Sequence, residues 1–90
     1  MDEQTFREHI RSLGYSEPHV LELGSGNPSG LHAHGFSSIG LVIRGRVTLE
    51  FENSAITNDP GDFCEIAAGV LHDERPGPEG VTVLLATKAV

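Results

Sequence analysis

The sequence predicts an all-β sandwich or barrel preceded by one short helix. Two observations carry this. Short runs rich in branched residues recur along the chain, with Gly, Pro, Asn and Asp clusters between them. Helical periodicity is confined to the first residues, and many short strands at regular spacing with Gly/Pro turns are the mark of a closed or double-layered β fold.

The helix comes first. Phe6, Ile10 and Leu13 recur at helical spacing, Thr5 and Glu8 offer a capping box, and Gly14 is a natural stop. Strand-like runs follow at 19–23, 31–36, 38–44, 46–52, 62–67, 70–74 and 81–87. Pro18, the 24–30 stretch with Pro28, Asn53-Ser54, Asn58-Asp59-Pro60-Gly61, Gly69 and the 76–80 stretch separate them, and Gly45 and Gly61 are read as tight turns. Val47, Leu49 and Phe51 alternate with Arg46, Thr48, Glu50 and Glu52, as in a half-exposed antiparallel strand. Residues 39–43 do not alternate and are expected to be covered on both faces, the second cover being either the N-terminal helix or another subunit.

Ninety residues make one domain, expected over 1–90 with the helix in 1–15 and the barrel in 18–88. A chain of this length buries roughly 60–65% of its unfolded surface. It must therefore wrap as a single layer or lean on a partner, and a homodimer is the expected solution. Thirteen acidic against six basic residues, a net charge of −7, argue against nucleic acid as a partner, because phosphate binding needs clustered Lys and Arg. No apolar run approaches the roughly 20 residues that span a bilayer, and the N-terminus does not read as a signal peptide. The expected compartment is the cytoplasm. The single cysteine, Cys64, excludes an internal disulfide and a thiolate-rich metal site.

Five histidines remain as the unusual feature. His32 and His34 lie two apart in a strand-like run, so both side chains share a face. His72 follows the turn at Gly69 and can come from a neighbouring strand. Imidazole suits Zn, Fe, Ni and Cu, and three histidines with an open position make a catalytic-type rather than a closed structural site. Two polar residues on a solvated face are the alternative reading of the H-x-H pair alone. His9 and His19 are taken as surface residues.

The spacing around these histidines resembles the cupin superfamily. Its first motif reads G-x5-H-x-H-x3,4-E-x6-G, matched by Gly26, His32, His34, Ser38 and Gly45. Its second reads G-x5-P-x-G-x2-H-x3-N, matched by Gly61, Ala67, Gly69, His72 and Pro76. Every glycine and histidine falls in place, whereas the Glu, Pro and Asn positions carry Ser38, Ala67 and Pro76. The resemblance implies a small single-domain jelly-roll barrel, a double-stranded β-helix. Inside it His32, His34 and His72 would hold a divalent transition metal (Zn, Fe, Ni or Mn), without the carboxylate ligand that Ser38 replaces. The same loss also fits a barrel that has left metal behind. Strand parity from Ser38 puts Gly40 and Val42 in the lumen. Phe36 shares the parity of His34 and walls the pocket or joins the core. Cys64 lines the lumen or serves as a small hydrophobe. Asp73-Glu74-Arg75 supplies an outer carboxylate or catalytic acid, or is a solvated strand end.

Two functions follow from the resemblance. One is a metal-dependent enzyme, dioxygenase- or isomerase-like, acting on a small polar molecule. The alternative is a non-catalytic cupin that binds or senses a small molecule.

Overall fold

The computed structural model describes residues 1–26 and 30–90; Pro28 of the expected loop lies outside them. Helix α1 (Glu3–Ser12) is followed by β1 (His19–Leu23), β2 (Phe36–Glu50), β3 (Ala55–Asn58), β4 (Phe63–Ile66) and β5 (Asp73–Ala89). The helix starts one turn earlier than the expected capping box. Asp2 is the N-cap and accepts from the Thr5 amide at 2.8 Å, meeting one of the donors that a helix start leaves unpaired. At the other end Gly14 adopts φ +84°, and the Gly14 and Tyr15 amides return to the Arg11 and Ile10 carbonyls. That double bond is a Schellman closure, and glycine supplies its left-handed residue. Phe6 and Ile10 are buried; Leu13, third of the expected apolar stripe, is exposed because it lies at the C-cap.

Two long strands replace four short ones. The expected strands 38–44 and 46–52 are one, β2, and Gly45 is not a turn but lies between two register shifts, at Val42/Arg44 and Gly45/Val47. Likewise β5 runs through the 76–80 stretch and absorbs the run 81–87 with the end of 70–74. The run 31–36 supplies only an isolated bridge at His32 before β2 starts at Phe36. Strand β3 was not read in the sequence, where its residues fell between two turn signals. The glycines and prolines that punctuate other chains as turns are absorbed here by bulges, which bend a strand without ending it.

β2 and β5 form an antiparallel ribbon over their whole lengths. The first half of β2 pairs with β4 and its second half with β3, while β1 pairs with the second half of β5. The bulges bend the ribbon so that its halves face each other across a lumen. They also shift parity: Ser38, Gly40 and Val42 line the lumen before the bend, Val47 and Leu49 after it. Ile39 and Leu41 point outward, where Phe6, Ile10 and Tyr15 cover them together with Leu84 and Ala86. The second cover of this strand is therefore α1, which removes one premise for a partner subunit. Ile43, expected to be covered, is exposed because the Val42/Arg44 shift swings it outward. No helix among the described residues is long and apolar enough to cross a membrane.

Two predictions follow. Gly45 has φ +80°, and a Cβ there would lie 2.2 Å from the Gly80 carbonyl oxygen. Gly45→Ala is expected to lower the unfolding free energy by about 3 kcal/mol through left-handed strain plus backbone clash, read as a lower urea midpoint with an unchanged slope. Burial, then the hydrogen bond that the Tyr15 hydroxyl donates to Glu65, raises the Tyr15 pKa above its ordinary 10.0. The folded chain thus holds this proton more tightly than the unfolded one. The stability it contributes is complete below the ordinary tyrosine pKa and is lost as pH rises above it. Urea titrations between pH 8 and pH 11 (about 10 being the ordinary value) should show that fall in the wild type and a flatter profile in Tyr15→Phe.

Candidate metal centre

His32 and His72 face each other as an antiparallel pair that exchanges both backbone hydrogen bonds, each 2.9 Å long. Residues directly opposite in such a pair project to the same face. The Gly69 amide donates to the His34 carbonyl at 2.9 Å, fastening the same loop to the strand entry. The potential ligand atoms of His32, His34 and His72 all lie within 4.8 Å of one another. Their rings are packed edge to face or tilted, with centroids 4.7–5.3 Å apart. His34 also stacks on Phe36, at 4.9 Å and 17°.

The backbone fixes which nitrogens are available. Nδ1 of His32 donates to the Gly30 carbonyl and Nδ1 of His72 to the Val70 carbonyl, both at 2.9 Å. A carbonyl can only accept, so each Nδ1 carries the hydrogen and each Nε2 is left as the coordinating atom. Both Nε2 atoms point at one carboxylate. Glu74 Oε2 lies 3.5 Å from His32 Nε2, and Oε1 lies 3.3 Å from His72 Nε2. Lone pairs facing a carboxylate repel unless a cation, a proton or a metal ion, lies between them. The His72–Glu74 separation lies within the roughly 3.0–3.4 Å between donors that share an ion at about 2.1 Å, and the His32–Glu74 separation just beyond it. Imidazole Nε2 atoms with Nδ1–H tied to carbonyls are also the outer arrangement that metal-binding histidines use. The donor set fits a divalent transition metal.

Glu74 reaches this point because it follows His72 by two residues and so shares its face. Asp73 between them is buried and holds the approach: its carboxylate accepts from the Gly30 amide at 3.2 Å and the Glu74 amide at 2.9 Å. A carboxylate thus stands beside two of the histidines from β5, whereas position 38 on β2 supplies none. Of the two readings of the 73–75 trio, the solvated strand end describes Arg75 alone, which is exposed and pairs with Glu50.

A cavity of about 410 Å³ opens from the cluster into the barrel. His34, His72 and Glu74 line one end, with Phe36, Ser38, Gly40 and Val42 along β2. Cys64 and Ile66 of β4, and Val83 and Leu85 of β5, complete an apolar wall. Burial, and then the neighbouring Glu65, raise the Cys64 pKa, which disfavours its thiolate. His32 does not line the cavity; it reaches the cluster from outside. His19 is exposed, as expected, yet it also borders the cavity. Asn58, read as part of a turn, closes β3 with its side chain buried in the lumen wall. Only the β2–β3 register reveals that, and it is not written in composition.

A bent antiparallel barrel with a cluster of three histidines at one end, His34 and His72 of them in its lumen, is a cupin. Residues 24–84 match the AraC-like ligand binding domain, and the chain belongs to that family. Its fold is similar to that of a cupin superfamily protein from Desulfitobacterium hafniense (17% identical, TM-score 0.68, covering 79% of this chain and 64% of that one). It is likewise similar to the DMSP lyase DddQ from Ruegeria pomeroyi (19%, 0.70, 82% and 40%) and to an RmlC-like cupin from Shewanella frigidimarina (18%, 0.67, 79% and 63%). The chain therefore spans less than two thirds of each of these proteins. No curated protein matches the sequence.

Proposed function

We propose that this protein binds a small molecule in its barrel, with one end of the molecule meeting a divalent transition metal held by His32, His34 and His72, with the Glu74 carboxylate beside it. The observation that carries the reading is the convergence of three imidazoles, two of them with Nε2 beside the Glu74 carboxylate and Nδ1 tied to a backbone carbonyl. When bound, such a metal supplies a Lewis-acidic centre to which an oxygen donor of the ligand can attach. The chain's own residues do the rest. The Gly30 and Val70 carbonyls orient the imidazoles, Asp73 steadies Glu74, and the apolar walls exclude water from the ligand body.

The match to a ligand binding domain supports small-molecule binding as the primary role. Metal-dependent catalysis on the bound molecule is the second reading. It is favoured by Glu74, whose carboxylate stands beside the cluster at the cavity's end and could accept a proton from a molecule seated there. Turnover of a bound compound by the metal-loaded protein separates catalysis from binding.

Protein isolated without a histidine tag is expected to carry a transition metal, measured by elemental analysis. The His32→Ala/His34→Ala double variant is expected to fold and lose it. Equal metal in both proteins refutes the assignment. In Glu74→Gln, zinc affinity should fall by about tenfold or more, and the zinc-induced rise in melting temperature should shrink with it. An unchanged affinity removes Glu74 from the metal site and leaves the histidines standing.

A further inference from the structure

The cavity is polar at one end and apolar at the other. The end next to the bend is lined by Val42 and Val47, which flank the register shifts, and by Val83, Leu21 and Leu23. Asn58 borders that end too, but its Nδ2 is enclosed rather than open to the cavity. The end by the histidines carries two hydroxyls that the metal centre does not use. Ser38 of β2 and Thr87 of β5 lie directly opposite each other in the ladder, so their side chains share a face. Both are half-buried and line the cavity along with His34, Phe36 and Glu74. Phe36, which stacks on His34, is one two-residue step before Ser38 on that face.

These hydroxyls are available to a ligand. Within the described residues neither makes a hydrogen bond, and the enclosed polar atom without a partner is Asn58 Nδ2, not either of them. Both therefore keep accessible surface, on the face that looks into the lumen. Among the described residues that line the cavity none is Lys or Arg, and Glu74 puts a carboxylate at this end. An anionic group on the ligand is thus met by the metal and not by the hydroxyl pair, whose partner must be neutral. A hydroxyl both donates and accepts, so two of them side by side suit a ligand group that does the same. His19 borders the cavity from the edge strand β1 and is solvent-exposed.

We propose that Ser38 and Thr87 determine ligand specificity and that the ligand is an amphiphilic hydroxy acid. Its carboxylate sits at the metal, a hydroxyl on one of the first carbons bonds to Ser38 and Thr87, and its aliphatic tail lies toward Val42, Val47 and Val83. Four residues of strand, about 13 Å, separate Ser38 from Val42, which leaves room for a short tail. The proposal rests on the metal-assisted pocket described above.

The test uses the zinc-loaded full chain and calorimetry, with octanoate, 2-hydroxyoctanoate, 3-hydroxyoctanoate and the tail-less 3-hydroxybutanoate. The better of the two hydroxyoctanoates is expected to bind about fivefold or more tightly than octanoate. It should also bind about tenfold or more tightly than 3-hydroxybutanoate, which buries no tail. Ser38→Ala/Thr87→Val should erase the hydroxyl preference while keeping octanoate affinity. Should the double variant fail to fold, Ser38→Ala and Thr87→Val serve singly, and each should reduce the preference. A wild type without preference overturns the proposal, as does no binding of any of the acids. A preference that survives both substitutions also overturns it, because the metal alone then takes the ligand hydroxyl. Equal affinity for 3-hydroxybutanoate and 3-hydroxyoctanoate overturns the placing of the tail. Failure of the metal reading looks different. Removal of zinc, or His32→Ala/His34→Ala, would then leave all affinities unchanged with the preference that depends on Ser38 and Thr87 intact.

Discussion

Two glycines in contact, Gly45 on β2 and Gly80 on β5, set the shape of the barrel. Both have positive φ, and side chains at them would meet backbone: Gly80 O lies 2.2 Å from a Cβ at Gly45, and Leu23 O lies 2.7 Å from one at Gly80. Three strands are thus in close backbone approach at one point, which only residues without a Cβ allow. The register shifts on either side bend the ribbon there and shift its parity. Were β2 regular, the parity that sends Ser38, Gly40 and Val42 inward would send Arg46 and Thr48 inward too, and Val47 and Leu49 out to solvent. The hollow interior is a consequence of this corner.

The metal-facing end depends on backbone as well. The paired amides of His32 and His72 lock two histidines opposite each other, and two carbonyls choose their tautomer. No surrounding side chain is needed for that choice. Glu74 then follows from strand parity alone, since any residue two after His72 on the same strand faces the same way.

This division explains what could be read in the chain. The helix, the β class, the His32/His34 pair and the inward parity of Phe36, Ser38, Gly40 and Val42 rest on short-range spacing, which sequence displays directly, whereas His72 joins the pair through the motif spacing that resembles the cupin superfamily. The lengths of β2 and β5 are not legible locally, because Gly45 and the 76–80 stretch carry turn signals that the sheet uses as bulges. Asn58 looked like a turn residue beside Asp59-Pro60-Gly61, and its direction depends on its pairing with Val47. Glu74 was visible as a candidate, but a carboxylate beside two histidines is recognised only once β5 is folded against the entry to β2. Long-range register is the information that local pattern lacks.

The apolar residues fall into two separate groups. Phe6, Ile10, Tyr15, Ile39, Leu41, Leu84 and Ala86 pack between the helix and the outside of the sheet, while Val42, Val47, Leu49 and Val83 line the cavity, with Val81 packed against them. The first group is close-packed and the second borders empty space. A side chain exchanged on the inner surface therefore alters the shape of a hollow without disturbing the outer group. Such a scaffold can change what it recognises through single substitutions while its architecture persists. The short helix, which does not line the cavity, is what gives the interior that freedom to diversify.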